Sequence, residues 1–165
     1  MKRLLELDQK NYTQDMPIDV RYCIRAVIIK NGRIAVQKGK NGEYKILGGG
    51  MEKGEDHYRA LSREVLEEGG MYVVRDSMRL MGEILERHRD IFDESRVYEC
   101  HTLYYICEVE QETVAPQPTA SETRKGYQLA WATPQEIIAG NGPFLYQSWI
   151  LRDSRFVQMY VDGMI

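Results

Sequence analysis

Carboxylates crowd one short stretch of this chain. Glu55, Glu64, Glu67 and Glu68 lie with Arg59 and Arg63 between Gly48-Gly49-Gly50 and Gly69-Gly70. The pattern from Glu55 to Glu68 is helical, and at roughly 100° per residue the glutamates can be placed around its axis. With Glu64 at zero, Glu67 falls at about −60° and Glu68 at about +40°. Three carboxylates therefore share one narrow face, which Ala60, one turn earlier, is expected to keep open. Leu61, Val65 and Tyr58, at about 60° to 120°, mark the neighbouring face as the one that packs. Like charges at this spacing repel by about a few tenths of a kcal/mol per pair in an exposed helix, and by more where water is reduced.

Such a face calls for a cation. Hard carboxylate oxygens without imidazole or thiolate partners favour Mg²⁺, or Mn²⁺, over zinc. The same spacing also suits a solvated, salt-bridged helix, with Arg63 reaching Glu67 and Glu55 reaching Arg59. The Gly48-Gly49-Gly50 triplet weighs against that reading. It directly follows a short strand, and glycine allows φ > 0 and close backbone approach, so a carbonyl or amide can reach a ligand beside the carboxylates.

The elements that must position this stretch follow from pattern. Tyr22 to Lys30 reads as a buried strand, Asn31-Gly32 as a two-residue hairpin turn, and Arg33 to Gln37 as the return strand. Lys40 to Glu43 turns again into a strand from Tyr44 to Leu47. After the helix, Gly69-Gly70 stop it, and Met71 to Val74, Leu80 to Glu86, Val97 to Val109 and Tyr127 to Ala132 read as strands. Ala115 to Lys125 reads as a loop. Thr133-Pro134-Gln135-Glu136 looks like an N-cap with proline at the first helical position. Pro143 is placed at the start of a final helix. Leu145, Trp149, Ile150, Phe156, Val157 and Tyr160 form its apolar face, which either caps the core or joins a second subunit in a homodimer. Strands with few helices imply an α/β or α+β layered domain.

Composition limits the function. The 165 residues suit one domain spanning 1–165. A net charge of −3 offers bulk nucleic acid no general attraction, which leaves a small anionic substrate if a metal and local basic groups neutralise it. Cys23, Cys100 and Cys107 form no CxxC pair and are read as buried thiols in a reducing cytoplasm. No stretch approaches the ~18 apolar residues of a membrane span.

Taken whole, the stretch from Gly49 to Met71 resembles the Nudix box, GX5EX7REUXEEXGU, in which U is a bulky aliphatic residue. Gly49, Glu55, Arg63, Glu64, Val65, Glu67, Glu68, Gly70 and Met71 meet every specified position, with methionine taken as aliphatic. Chance would produce this at well below about one in a million. The strands before the box and the segment Trp131 to Glu136 also look like the family. One departure is Leu47, where many relatives have proline before the glycines.

The resemblance implies an α/β/α sandwich with a mixed β-sheet, and a box that folds as loop-helix-loop. It implies that Glu67 and Glu68 ligate Mg²⁺ and that the Gly48 carbonyl adds a ligand. By the same analogy Glu64 ligates metal or acts as base, Arg63 orients the glutamates, and Glu55 supports the box and can join a metal site. Relatives often draw a further ligand or base from a later loop, and Glu122 is the candidate here. Arg25, Tyr44, Arg87 and His88 are candidates for contact with phosphate or base, each more simply read as an ordinary structural residue. The expected activity is hydrolysis of a nucleoside triphosphate, oxidised or not, to monophosphate and pyrophosphate. A nucleoside-diphosphate sugar such as ADP-ribose is the alternative. It is weakened because no proline lies between Pro17 and Pro116, where such subfamilies often place one beyond the box. The SQPWPFxxS array linked with NADH cleavage is absent too. A nucleotide-binding sensor that does not cut is the alternative from another class, and the retained Glu64, Glu67 and Glu68 argue against it.

Overall fold

A computed structural model describes residues 2–165. The elements run in order as β1 (Arg3–Asp8), β2 (Ile18–Val27), β3 (Ile29–Lys30), β4 (Arg33–Lys38), β5 (Tyr44–Ile46), α1 (His57–Gly69), β6 (Met71–Val73), β7 (Arg79–Arg89), β8 (Val97–Ile106), β9 (Val109–Thr113), α2 (Ala120–Lys125), β10 (Gln128–Ala132), α3 (Pro134–Asn141) and α4 (Ser148–Val161).

One four-stranded sheet has the order β1-β7-β8-β2. It is mixed: β1 runs parallel to β7 and β2 parallel to β8, while β7 and β8 are antiparallel. In the second sheet β10 lies on one side of β4, and β3 and β5 share the other. Single bridges from Cys23 to Gly50 and from Ala26 to Leu47 seam the two sheets together through the glycine loop.

Strand alternation divides the core. Ile24 and Ala26 on β2, with Leu103 and Tyr105 on β8, meet Ala60, Leu61 and Val65 of α1. Val27 and Tyr104 face the other way, onto Ile137 of α3 and Phe156 and Val157 of α4. Helices on both sides of mixed β-structure give the expected α/β/α layering. The ring of Tyr104 stacks on Phe156 with centroids 3.9 Å apart.

Several local expectations are met. Asn31 (φ 51) and Gly32 (φ 72) both adopt the left-handed conformation of a type I′ hairpin turn. Thr133 caps α3 in a reciprocal capping box with Glu136, and Pro134 opens the helix. Gly70 caps α1 in the left-handed conformation, while Gly69 still belongs to the helix.

Other expectations need correction. Ala60 does not keep the acidic face open: it is fully buried against the sheet, because the packing stripe of α1 is wider than Leu61 and Val65 alone. The N-terminal segment, to which the sequence pattern assigns no element, forms β1, and its Leu4, Leu5 and Leu7 pack against the α4-side core. The strand read from Val97 to Val109 breaks after Ile106, and β9 turns away to pair with β6. The loop read from Ala115 to Lys125 contains α2, capped by Thr119 and Glu122. Pro143 opens only a short 3₁₀ turn, and the final helix starts at Ser148. Of its apolar residues, Ile150, Phe156 and Val157 are fully buried in this chain's own core, Trp149 and Tyr160 are half-buried, and Leu145 is exposed. Cys100 and Cys107 are buried free thiols and Cys23 is half-buried.

Candidate functional site

The glycine loop and α1 are built for each other. Gly48 has φ 130, and a Cβ there would overlap the Ile24 carbonyl oxygen, so only glycine lets the loop run against β2. A Cβ on Gly49 would stand 2.6 Å from Oε1 of Glu64. The missing side chains thus make the room in which the helix carboxylates meet the loop. Backbone bonds hold the register: Ile24 N–H donates to the Gly49 carbonyl (2.9 Å), and Met51 N–H donates to the Tyr22 carbonyl (2.9 Å).

Arg63 is the hub of the helix side. Its guanidinium grips Glu55 with two bonds, from Nε to Oε1 (2.8 Å) and from Nη2 to Oε2 (2.9 Å). Nη1 donates to Glu64 (2.7 Å) and stands 3.7 Å from Glu67, while Nη2 also donates to the Gly50 carbonyl (3.0 Å). One rigid fork therefore fixes two carboxylates and the loop, and approaches a third. The Arg63 hydrogen bonds hold the Glu55 carboxyl down at about 2. Glu55 does not pair with Arg59, as its helical reading suggested; Glu55 precedes the helix, and Arg59 lies nearest Asp56 at 4.0 Å.

Glu68 faces a different partner. It is buried, accepts the Gly48 N–H (2.7 Å), and pairs with Lys45 of β5 at 3.1 Å. The same ammonium stands 3.7 Å from Glu122 of α2. Burial pushes the Glu68 carboxyl up to about 7, against the lowering charges of Lys45 and Arg25. Burial also acts to raise Glu122, yet its hydrogen bonds with Glu68 and Thr119, helped by Lys45, hold it at about 2. Each carboxyl thus shifts the other, Glu122 acting to raise Glu68 and Glu68 acting to lower Glu122. Glu67, the most exposed of the three helix glutamates, is raised by burial and by the charge of Glu64.

The sequence candidates sort by position. Glu64, Glu67, Glu68, Arg63, Glu55 and Glu122 gather around the loop and the C-terminal half of α1. Arg25 joins them: it is buried and donates to the carbonyls of Ile46 (3.0 Å) and Gly48. The Gly48 carbonyl, expected to face a metal, is held by this guanidinium. Tyr44 is in the core and Arg87 pairs with Glu99, so both stand apart from the gathering. His88 lies beyond it on β7, buried and stacked on Tyr98. Sequence reasoning passed over Lys45. Its signal was its place, four residues before Gly49 on the strand that enters the loop.

Oxygen donors alone are collected here, a set that suits a hard divalent cation. Glu64, Glu67 and Glu68, with Glu122 opposite, are the carboxylates that could hold one. Among the described residues no three acidic, histidine or cysteine side chains already close around one point. Arg63 and Lys45 supply the counter-charge instead, and the donors fit such an ion by their chemistry.

The NUDIX domain family model matches residues 21–151. Among solved structures, the chain is similar to a NUDIX hydrolase from Nitrosomonas europaea, with a TM-score of 0.55 and 22% identity over 75% of this chain and 79% of that one. It is also similar to a MutT NUDIX hydrolase from Burkholderia pseudomallei, with a TM-score of 0.50 and 22% identity over 71% of this chain and 85% of that one. A search of curated proteins found no match.

Proposed function

The chain belongs to the Nudix family of hydrolases, and from that premise we propose that it uses Mg²⁺, or Mn²⁺, to hydrolyse a nucleoside triphosphate to monophosphate and pyrophosphate. The observation that carries this reading is the pair of anchors on one helix. Arg63 holds Glu64 and approaches Glu67 from one side, and Lys45 with the Gly48 amide holds Glu68 from the other. A merely solvated helix face would need neither a buried glutamate nor a loop cut back to glycine to admit a carboxylate.

In this reading Glu64, Glu67 and Glu68 hold the cation, with Glu122 as a further oxygen donor. When bound, it supplies counter-charge to the phosphate oxygens and acidity to a nearby water. In the alternative role that the resemblance gives it, Glu64, beside the loop and held by Arg63, takes a proton from the attacking water. Arg63 keeps these carboxylates from turning outward under their mutual repulsion. We assign the whole chain, residues 1–165, to one such domain, a cytoplasmic enzyme acting on small nucleotides. No helix among the described residues is long and apolar enough to cross a membrane.

The test is a panel of nucleoside triphosphates and nucleoside-diphosphate sugars with Mg²⁺, scored by phosphate and pyrophosphate release. Pyrophosphate release that stops with a chelator is expected. Turnover unaffected by chelation would sink the metal role, and binding without turnover across the panel would favour a nucleotide sensor.

A further inference from the structure

A cleft of about 790 Å³ opens from the Lys45–Glu122 side of the site and runs along β7, β8 and α4. Six basic side chains line it against three acidic ones, although the chain as a whole is acidic. Two of the three acids are engaged: Glu86 accepts from Arg152 (2.6 Å), and Glu122 is held by Lys45 and Thr119. The third, Asp90, caps the N–H groups of its own loop at Phe92 and Asp93.

Lys45 and Arg152 are paired with carboxylates, and the other four basic groups are positioned without being neutralised. Among the described residues Arg21, Arg25, Arg89 and Lys125 make no carboxylate ion pair. Aromatic rings hold two of these four instead. Arg21 lies over Tyr98 at 5.8 Å and Lys125 over Trp149 at 5.7 Å. A ring fixes a cation by its quadrupole and leaves the charge available to a ligand. The two cations in turn cover a face of Tyr98 and of Trp149, while Ile91, Phe92 and Tyr146 stay exposed along the cleft. Donors without acceptors lie beneath: Nε of Arg25, Nε of Arg89 and Nη2 of Arg152 are buried and unpartnered. Arg152 is 2% exposed and Arg25 6%. A ligand seated here must bring several acceptor oxygens and negative charge.

We propose that this cleft binds a phosphoryl group of the substrate additional to the diphosphate that is cut, so that the substrate class is a nucleotide with at least three phosphoryl groups. The proposal rests on the carboxylate site being where hydrolysis occurs. It makes a nucleoside-diphosphate sugar with no further phosphate a poor substrate, because its two phosphoryl groups sit at the carboxylate site and leave the cleft's cations and buried donors unanswered. The third group could be the end of a triphosphate or a phosphate borne by the attached moiety, and both present the same chemistry.

The experiment has a binding arm and a kinetic arm. Calorimetry measures inorganic tripolyphosphate and pyrophosphate on the parent, Arg89→Gln, Lys125→Gln and the control Arg155→Gln, which lies on the exposed side of α4. Kinetics compares a nucleoside triphosphate, a nucleoside-diphosphate sugar and the same compound phosphorylated on its sugar. Each cleft variant should weaken tripolyphosphate binding and raise KM for the three-phosphoryl substrates by about tenfold or more, the scale of a charge-assisted hydrogen bond, while Arg155→Gln behaves as the parent. The three-phosphoryl substrate with the lower KM identifies the source of the phosphate. Tripolyphosphate binding unchanged in both variants, or a KM for the plain diphosphate sugar as low as for the others, overturns the cleft assignment and leaves the hydrolase standing. No hydrolysis of any nucleotide overturns the hydrolase reading, while the calorimetry still reports on the cleft.

Discussion

The Lys45 ammonium stands 3.1 Å from the buried carboxylate of Glu68 and 3.7 Å from that of Glu122. One cation from the strand that enters the glycine loop thus ties the box helix to a helix more than fifty residues later. Strand β5 is itself pinned from behind: Asn141 accepts the Tyr44 N–H (2.7 Å), and Asp153 accepts the Ile46 N–H (3.0 Å). Lys45 therefore holds its place through α3 and α4, and not through the box alone.

Removing that cation should expose the cost of the carboxylates around it. Lys45→Met is expected to lower the stability of the metal-free protein by about 2–4 kcal/mol, since it strands a buried charge. Mg²⁺ or Mn²⁺ should then raise Tm more in the variant than in the parent, because the ion meets carboxylates with no competing ammonium. Thermal melts with and without metal check this. Equal metal-induced shifts in both proteins would show that Lys45 and the ion do not share these oxygens.

Glutamine at position 64, 67 or 68 separates a working face from a solvated one. Loss of base help alone is expected to cost about 10²–10⁴-fold in turnover, and a lost ligand weakens metal binding further. The fold should survive, since glutamine matches glutamate in size and helix propensity. Glu68→Gln should raise Tm at pH 8, where the parent buries a carboxylate. Glu110→Gln on β9 is the control. Parent-like rates in all three box variants would refute the site.

The two glycines should fail differently. Gly48→Ala meets backbone in a left-handed conformation and is expected to destabilise by about 2 kcal/mol or more. Gly49→Ala meets only the end of the Glu64 side chain, and its φ is not in the left-handed region. It should fold with a small change in Tm but displace Glu64 and lose turnover. Circular dichroism melts beside initial rates distinguish the two, and a Gly49→Ala protein as active as the parent would remove the fitted contact from the argument.

His101 gives a stability signal in pH, remote from the carboxylate site. Burial acts to lower its pKa, but hydrogen bonds with Glu83 and Glu99 raise it above the ordinary value. A raised folded value stabilises the protein fully below the unfolded pKa of about 6.5. That contribution is lost as pH rises through the folded value. The Tm of the parent should exceed that of His101→Gln by a few degrees at pH 6, and the gap should shrink by pH 9. A gap independent of pH would mean that His101 is held as a neutral ring.

The box helix, its glycine stop, the hairpin at Asn31-Gly32 and the capped turn at Thr133-Pro134 were all legible in the sequence. Each is written in residues a few positions apart: period 3.6 for α1, left-handed conformations where glycine or asparagine stands, and a capping side chain three residues from its partner. The grouping of Glu64, Glu67 and Glu68 on one face follows from the same short-range arithmetic. What the sequence could not decide is which distant groups answer those charges. Glu55 bonds Arg63 and not Arg59, because the chain before the helix bends back along it. Lys45, Glu122 and Arg25 reach the site, while Tyr44 and Arg87 stand apart, because strand alternation and sheet order choose a side for each. The basic cleft draws on strands, loops and helices from Arg21 to Arg152. Local spacing sets which side chains share an element, but only the packing of elements brings opposite charges together across a hundred residues of chain.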